Sequence, residues 1–221
     1  MPAGLIGFYE DPDNNPLLTP SGKIEYYSTT LAERFPDDKV RGPVAHWIVE
    51  GDGHDDRRSS DRAKKYPFLI VSNHPRWRVH AEFDDVEWLR EIQTCKVIGP
   101  DGYAYEPLWM HPSDAQGRDI REGSVVKVYN DRGAILAGVH LSEQILPGVV
   151  QMSTGAWYDP LDPKEERSLD KHGNPNVLTE DRGSSRLGQG CSAQSCWVEI
   201  APWREELPPI TAFGPPKFIE V

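Results

Sequence analysis

Disulfides, membrane spans and basic charge are all in short supply here, and each shortage removes a class of protein. Only three cysteines occur among 221 residues, so they cannot all pair within the chain. A disulfide scaffold is therefore excluded, and a reducing, cytoplasmic setting is expected. No apolar run approaches the roughly 20 residues of a membrane-crossing helix, which argues against membrane insertion. The opening residues, MPAGLIGFYEDPDNN, carry no basic stretch followed by an apolar one and do not read as a signal peptide. The 24 Lys and Arg face 35 Asp and Glu, a net charge of -11. That balance speaks against nucleic-acid binding, which needs a concentrated basic surface. Any bound phosphate must be held locally by particular arginines, amides and hydroxyls.

Familiar catalytic signatures are missing too. There is no G-x-S-x-G, Walker A or G-x-G-x-x-G motif, so common hydrolase, nucleotide-triphosphatase and dinucleotide-fold readings have no anchor. Cys191 and Cys196 are too far apart for a Cys-x-x-Cys site, and His74 and His80 do not have the spacing of a helical metal pair, so no metal ligand is assigned. The adjacent carboxylates Asp84-Asp85 and Glu165-Glu166 read as solvated.

What is present is a chain of many short elements, punctuated by 20 prolines and 19 glycines. Residues 1–65 read as an extended linker, with a turn at Thr19-Pro20-Ser21-Gly22 and a short helix over Glu25–Phe35. Gly51–Arg62 reads as a charged loop. Residues 66–200 form the compact part. Pro67–Ser72 (PFLIVS) has the length and composition of a strand buried on both faces. Asp84–Ile92 suggests a helix with an acidic start, and Glu106–Met110 a strand leading into a helix entry at His111. Gly123–Asn130 and Ala134–Leu141 stand at hairpin spacing, and Val149–Ser153 and Cys196–Ile200 complete the strands. The long polar stretch Asp159–Asn176 suggests function. Residues 201–221 form a proline-rich arm that should lack regular structure on its own. The coarse expectation is a mainly β protein, a barrel or sandwich with a few short helices and long loops.

Three loops offer chemistry. Ser72-Asn73-His74-Pro75-Arg76-Trp77-Arg78-Val79-His80 presents an amide, two imidazoles and two guanidiniums, and paired guanidinium donors suit phosphate. The plainer alternative is a surface loop whose arginines pair with Glu82, Asp84 and Asp85. Met152-Ser153-Thr154-Gly155-Ala156-Trp157 ends a strand with small residues and hydroxyls that would allow close approach by a ligand. The alternative is a strand end packing one tryptophan. Gly173–Thr179 and Leu187-Gly188-Gln189-Gly190 supply amides able to read ring edges, although such sequences are often only turns.

Taken in order, TPSGKIE (Thr19–Glu25), NHPRWRVHAEF (Asn73–Phe83), WLREI (Trp88–Ile92), MHPSDAQGRDIREGSVVKVYNDRG (Met110–Gly133), ILPGVVQMSTGAW (Ile145–Trp157), GNPNVLTEDR (Gly173–Arg182) and LGQGCSAQSCWVEI (Leu187–Ile200) resemble the molybdopterin dinucleotide-binding C-terminal domain of the dimethyl sulfoxide reductase family. Within it, Asn73–Ile92 is most similar to the large subunit of pyrogallol–phloroglucinol transhydroxylases. The resemblance implies a six-stranded double-psi β-barrel and two molybdopterin guanine dinucleotides per full enzyme, carrying molybdenum or tungsten. It implies that Asn73, His74, Arg76, Arg78 and His80 line the cofactor, with Ser153, Gly155 and Trp157 from the second loop. Asn176 and Thr179 would bind ring edges, and Gln189 and Gly190 would close over the cofactor. The implied partners are the remaining domains of the same large subunit and an iron–sulfur small subunit. The metal ligand would lie in those other domains, so the isolated fragment is expected to be inactive and to lack cofactor. The rivals are a stand-alone barrel hydrolase or decarboxylase, for which no carboxylate–histidine pair stands out, and a non-catalytic interaction module.

Overall fold

The computed structural model describes residues 5–46, 60–190 and 195–215. These fall into two compact units, one drawn from residues 1–54 with 182–192, the other from 55–181 with 193–221. No helix among the described residues is long and apolar enough to cross a membrane.

Among its described residues, the first unit is irregular apart from α1 (Ile6–Glu10) and α2 (Thr29–Arg34). The turn expected at Thr19–Gly22 is present, with the Gly22 amide donating to the Thr19 carbonyl at 2.9 Å. The helix expected over Glu25–Phe35 starts only at Thr29, because the Ser28 hydroxyl accepts from the Leu31 amide and caps it there. Most of the expected Gly51–Arg62 loop lies outside the described residues.

The second unit holds α3 (Asp61–Lys65), β1 (Phe68–Asn73), α4 (Glu87–Arg90), β2 (Val97–Ile98), β3 (Ala104–Tyr105), β4 (Pro107–Met110), α5 (Pro112–Gln116), β5 (Val125–Tyr129), β6 (Ala134–Leu141), β7 (Val149–Ser153) and β8 (Ser195–Pro202). Six strands close a barrel in the order β1-β7-β4-β6-β5-β8, while β2 and β3 form a separate two-stranded sheet. Two pairs, β1/β7 and β4/β6, are parallel and the rest antiparallel. This is the six-stranded double-psi barrel that the resemblance implies.

Strand periodicity fills the barrel. Residues at every second position (Phe68 and Ile70, Leu108 and Met110, Val126 and Val128, Ile135, Ala137 and Val139, Val150 and Met152, Cys196, Val198 and Ile200) point into one apolar cluster. β1 departs from the expectation of burial on both faces, since Val71 and Asn73 are exposed. A barrel strand has one inner and one outer face, and nothing among the described residues buries the outer face of β1 at those positions. On β5 and β6 the outer face is covered: Val125 and Leu136 pack with Tyr105 against Leu169, Trp203, Leu207 and Ile210. The helix expected over Asp84–Ile92 shrinks to Glu87–Arg90, because Asp84 is drawn into the interior.

Register aligns one end of the barrel. Asn73 stands beside Ser153 at the ends of β1 and β7. Val71 pairs with Ser195 at the start of β8, and Tyr129 with Ala134 at the β5–β6 turn. The loops that follow β1 and β7 therefore leave from the same rim.

Candidate functional site

The rim is built around one buried carboxylate. Asp84 is 2% exposed. Its Oδ1 accepts from Arg78 Nη1 at 2.7 Å, and its Oδ2 meets His172 Nε2 at 2.9 Å and the Trp157 amide at 3.0 Å. Asp84 thus ties together the loop after β1, the loop after β7 and the segment leading to Gly173. Arg78, 4% exposed, donates through Nη1 and Nη2 to both oxygens of Glu106 at 2.8 and 2.9 Å, through Nε to the Thr154 carbonyl at 2.9 Å and through Nη2 to the Ser153 carbonyl at 3.3 Å. With the bond to Asp84, all five guanidinium protons are used. Of the pairings that the plainer surface-loop reading offered, the described residues contain only Arg78 with Asp84, and that pair is buried.

Lys96 joins the same cluster through Glu106 and lies 3.7 Å from Asp84. Burial, with the neighbouring Arg78, pushes its amine down to about 7, against the pull of Asp84. Burial also lowers His172, outweighing its hydrogen bond to Asp84. A neutral imidazole then donates from Nε2 to Asp84 and accepts at Nδ1 from the Tyr103 hydroxyl at 3.0 Å. For Asp84, burial favours the protonated acid, but the His172 bond and the charges of Lys96 and Arg78 together hold its carboxyl below the usual range. Asp84, Glu106 and His172 bring ligand-type atoms within 4.8 Å of one another. The two carboxylates already accept from Arg78, and Glu106 also from Lys96, so the cluster is satisfied within the chain.

Gly155 explains how the first two loops meet. Its φ is +102°, and a Cβ there would fall 1.7 Å from the His80 carbonyl oxygen. The space that its small size opens is filled by this chain's own backbone. Trp157 Nε1 donates to the Ala81 carbonyl at 2.7 Å, a second stitch between the loops. Gly173, at φ +90°, crosses close to Glu106, Met152 and Leu136. Its amide and that of Asn174 donate to Asp170 at 2.8 and 2.6 Å.

The predicted residues divide by what their polar groups already do. Arg78 and Ser153 are buried and committed to the network, Gly155 to loop packing and Trp157 to the stitches. Asn73, His74, Arg76 and His80 are exposed, with the His74 and His80 rings edge to face at 4.7 Å. Arg76 makes no hydrogen bond or ion pair among the described residues. Asn176 is exposed in the turn Pro175–Val177, and its amide N–H donates to Asn174 Oδ1 at 3.0 Å. The Thr179 hydroxyl donates to the Asn176 carbonyl at 3.3 Å. Val177 packs over Gly133 at the β5–β6 turn, which brings this segment to the same rim. Gln189 and Gly190 belong to the other unit, where the Ser184 amide donates to the Gly190 carbonyl at 2.6 Å.

Two buried polar atoms here lack partners among the described residues: Trp77 Nε1 and Ser72 Oγ. Together with the unspent Arg76 guanidinium, they leave the rim with more donors than the chain itself satisfies. That surplus fits a polar, phosphate-bearing group. Sequence reasoning missed Asp84, Glu106, Lys96 and His172. An acidic pair at a helix start looks solvated, and Glu106 looks like the first residue of a strand. The one local signal was polarity within Asp159–Asn176, a stretch too long for an idle connection.

The six-stranded closed barrel gathers the loops after β1 and β7 at one rim. The Molydopterin dinucleotide binding domain family matches residues 68–197, and the chain belongs to it, within the dimethyl sulfoxide reductase family. Similar proteins include the dimethyl sulfoxide/trimethylamine N-oxide reductase of Cereibacter sphaeroides, 39% identical over 210 residues covering 95% of this chain and 24% of that protein. Trimethylamine-N-oxide reductase 1 of Escherichia coli (strain K12) is 42% identical over 204 residues, 92% of this chain and 23% of that protein. The chain thus spans about a quarter of these relatives. Among solved structures, acetylene hydratase from Pelobacter acetylenicus shares the fold, with a TM-score of 0.60 at 17% identity over 87% of this chain and 25% of that one.

Proposed function

We propose that this domain holds a molybdopterin guanine dinucleotide against the barrel rim, as part of a larger molybdenum-dependent oxidoreductase. The observation that carries the proposal is the convergence of the loops after β1 and β7 and the segment Gly173–Thr179 on one rim, where Arg76, His74, His80, Asn176 and Trp77 Nε1 keep unspent polar groups. Arg76 offers paired donors to the diphosphate. Asn73, Asn176 and Thr179 offer donor and acceptor atoms to ring edges. Arg78, Ser153, Gly155 and Trp157 hold the loops in place. For Gln189 and Gly190 the assignment to the cofactor rests on the family resemblance alone. When bound, the cofactor and its metal supply the redox chemistry, while the chain's residues bind, orient and shield it.

The reductase names of the relatives favour reduction of an N-oxide or sulfoxide. The transhydroxylase reading rests on Asn73–Ile92 alone and is the second choice. The same proposal implies partners: further domains of the larger protein facing the rim and, on the transhydroxylase reading, an iron–sulfur small subunit. The test is to express the full-length parent protein as wild type and as an Arg76→Ala, Asn176→Ala double variant, then quantify bound metal and released guanosine monophosphate. Both should fall together in the variant. Retention of both at wild-type levels overturns the assignment of these loops.

A further inference from the structure

Over its described residues, 203–215, the arm after β8 has no regular structure, yet it is tied down at three kinds of contact. Trp203, Leu207 and Ile210 cover Tyr105, Val125 and Leu136. The Thr211 amide and hydroxyl both donate to Asp159 at 2.6 Å, and Lys171 Nζ donates to the Pro209 carbonyl and to Thr211 Oγ1 at 2.9 Å. Asp159 and Lys171 are themselves buried. Two residues further on, Phe213 lays its ring against Trp157 at 5.3 Å and His172 at 5.0 Å, with the Arg90 guanidinium 4.6 Å from its centroid.

Those contacts are selective. Trp157 and His172 are two of the residues whose N–H groups meet Asp84, and they come from different loops. We infer that the arm is a clasp, in which Thr211 is the anchor and Phe213 a positioning residue that presses the Trp157 and His172 loops onto Asp84 and so holds the rim in its binding shape. Phe213 remains 38% exposed and outside the barrel cluster. Loosening it therefore acts on the rim and not on the fold. The inference rests on the rim being the cofactor site, and it assigns the arm a part in retaining what is bound there.

The test compares Phe213→Ala, Phe213→Leu and Thr211→Val with wild type in the full-length holoenzyme. Aromatic pairs of this kind predict that Phe213→Ala releases guanosine dinucleotide about threefold to tenfold faster, with Phe213→Leu in between. Amide hydrogen exchange gives a second readout that needs no cofactor. Exchange at Trp157, Asp159, Gly173 and Asn174 should quicken in Phe213→Ala and Thr211→Val, while amides of the barrel strands keep their wild-type rates. Wild-type exchange at those four amides overturns the clasp. If exchange quickens there but wild-type protein carries no dinucleotide, the clasp stands and the cofactor reading fails. Quickened exchange spread evenly over the barrel strands also overturns it, because Phe213 would then be supporting the fold at large.

Discussion

Two regions of the barrel unit are equally well buried and could hardly differ more in composition. The interior is built from Ile70, Leu108, Met110, Ile135, Val139 and their neighbours. At one end of it, Arg78, Asp84, Glu106, Lys96 and His172 are each no more than 9% exposed. The interior gains from apolar area withdrawn from water and tolerates small adjustments of packing. The rim cluster gains little net free energy from its ion pairs, since desolvation offsets much of the attraction. What the rim acquires is arrangement: Asp84 accepts only when three separate segments reach it together. An apolar core makes the barrel, and the ionic cluster sets the loops upon it.

That contrast can be broken by substitution. Removing Arg78 (Arg78→Ala) leaves Glu106 with Lys96, and Asp84 with Lys96 and Arg90 only at 3.7 and 3.8 Å, and should cost about 4 kcal/mol in chemical denaturation. Leu108→Ala in the barrel centre should cost about 3 kcal/mol, through lost transfer energy and the cavity left behind. If Arg78→Ala proves far milder than Leu108→Ala, the rim network is not a structural brace and Arg78 is kept for a ligand.

A pH series sharpens the comparison, because only the rim titrates. Lys96 is held near 7 when folded, against 10.5 when free. The unfolded chain therefore binds the extra proton between those values, and stability should rise with pH across that window. In Lys96→Met the rise should vanish. His172 is held below its free value of 6.5, so the unfolded chain takes up the proton first and stability should fall as the pH drops below 6.5. The contribution of Asp84 is present above 3.8 and is lost as the pH falls from there through its lower folded value. Denaturation midpoints of wild type and Lys96→Met across pH 5 to 10 would check the first two signs. The smallest effect belongs to the surface. Arg204→Ala breaks an exposed 3.0 Å pair with Asp119 and should change stability by only about 0–1 kcal/mol.

The elements were unevenly legible in the sequence. The β5–β6 hairpin, β7 and the capped entry to α5 at His111 were visible because alternation, turn residues and caps act over a few neighbours. β1 was misjudged as buried on both faces, because a run of apolar residues does not show whether the outer face will be covered. Of the site, the positions of the loops were legible, but the division of labour inside them was not. Arg76 and Arg78 are indistinguishable in composition. Only the fold turns Arg78 inward to Glu106 and leaves Arg76 free, since Glu106 lies 28 residues further along the chain.

By itself the sequence determined the strand periodicity, the turns, the order of the loops and the family to which the chain belongs. These follow from local stereochemistry and from residue blocks kept in order. Tertiary structure alone decided that Asp84 is the hub, that Gly155 makes room for backbone and not ligand, and that Phe213 reaches Trp157 and His172. Each of those depends on segments far apart in the chain arriving at one point. Only barrel closure, driven by burial of the alternating apolar residues, brings them there.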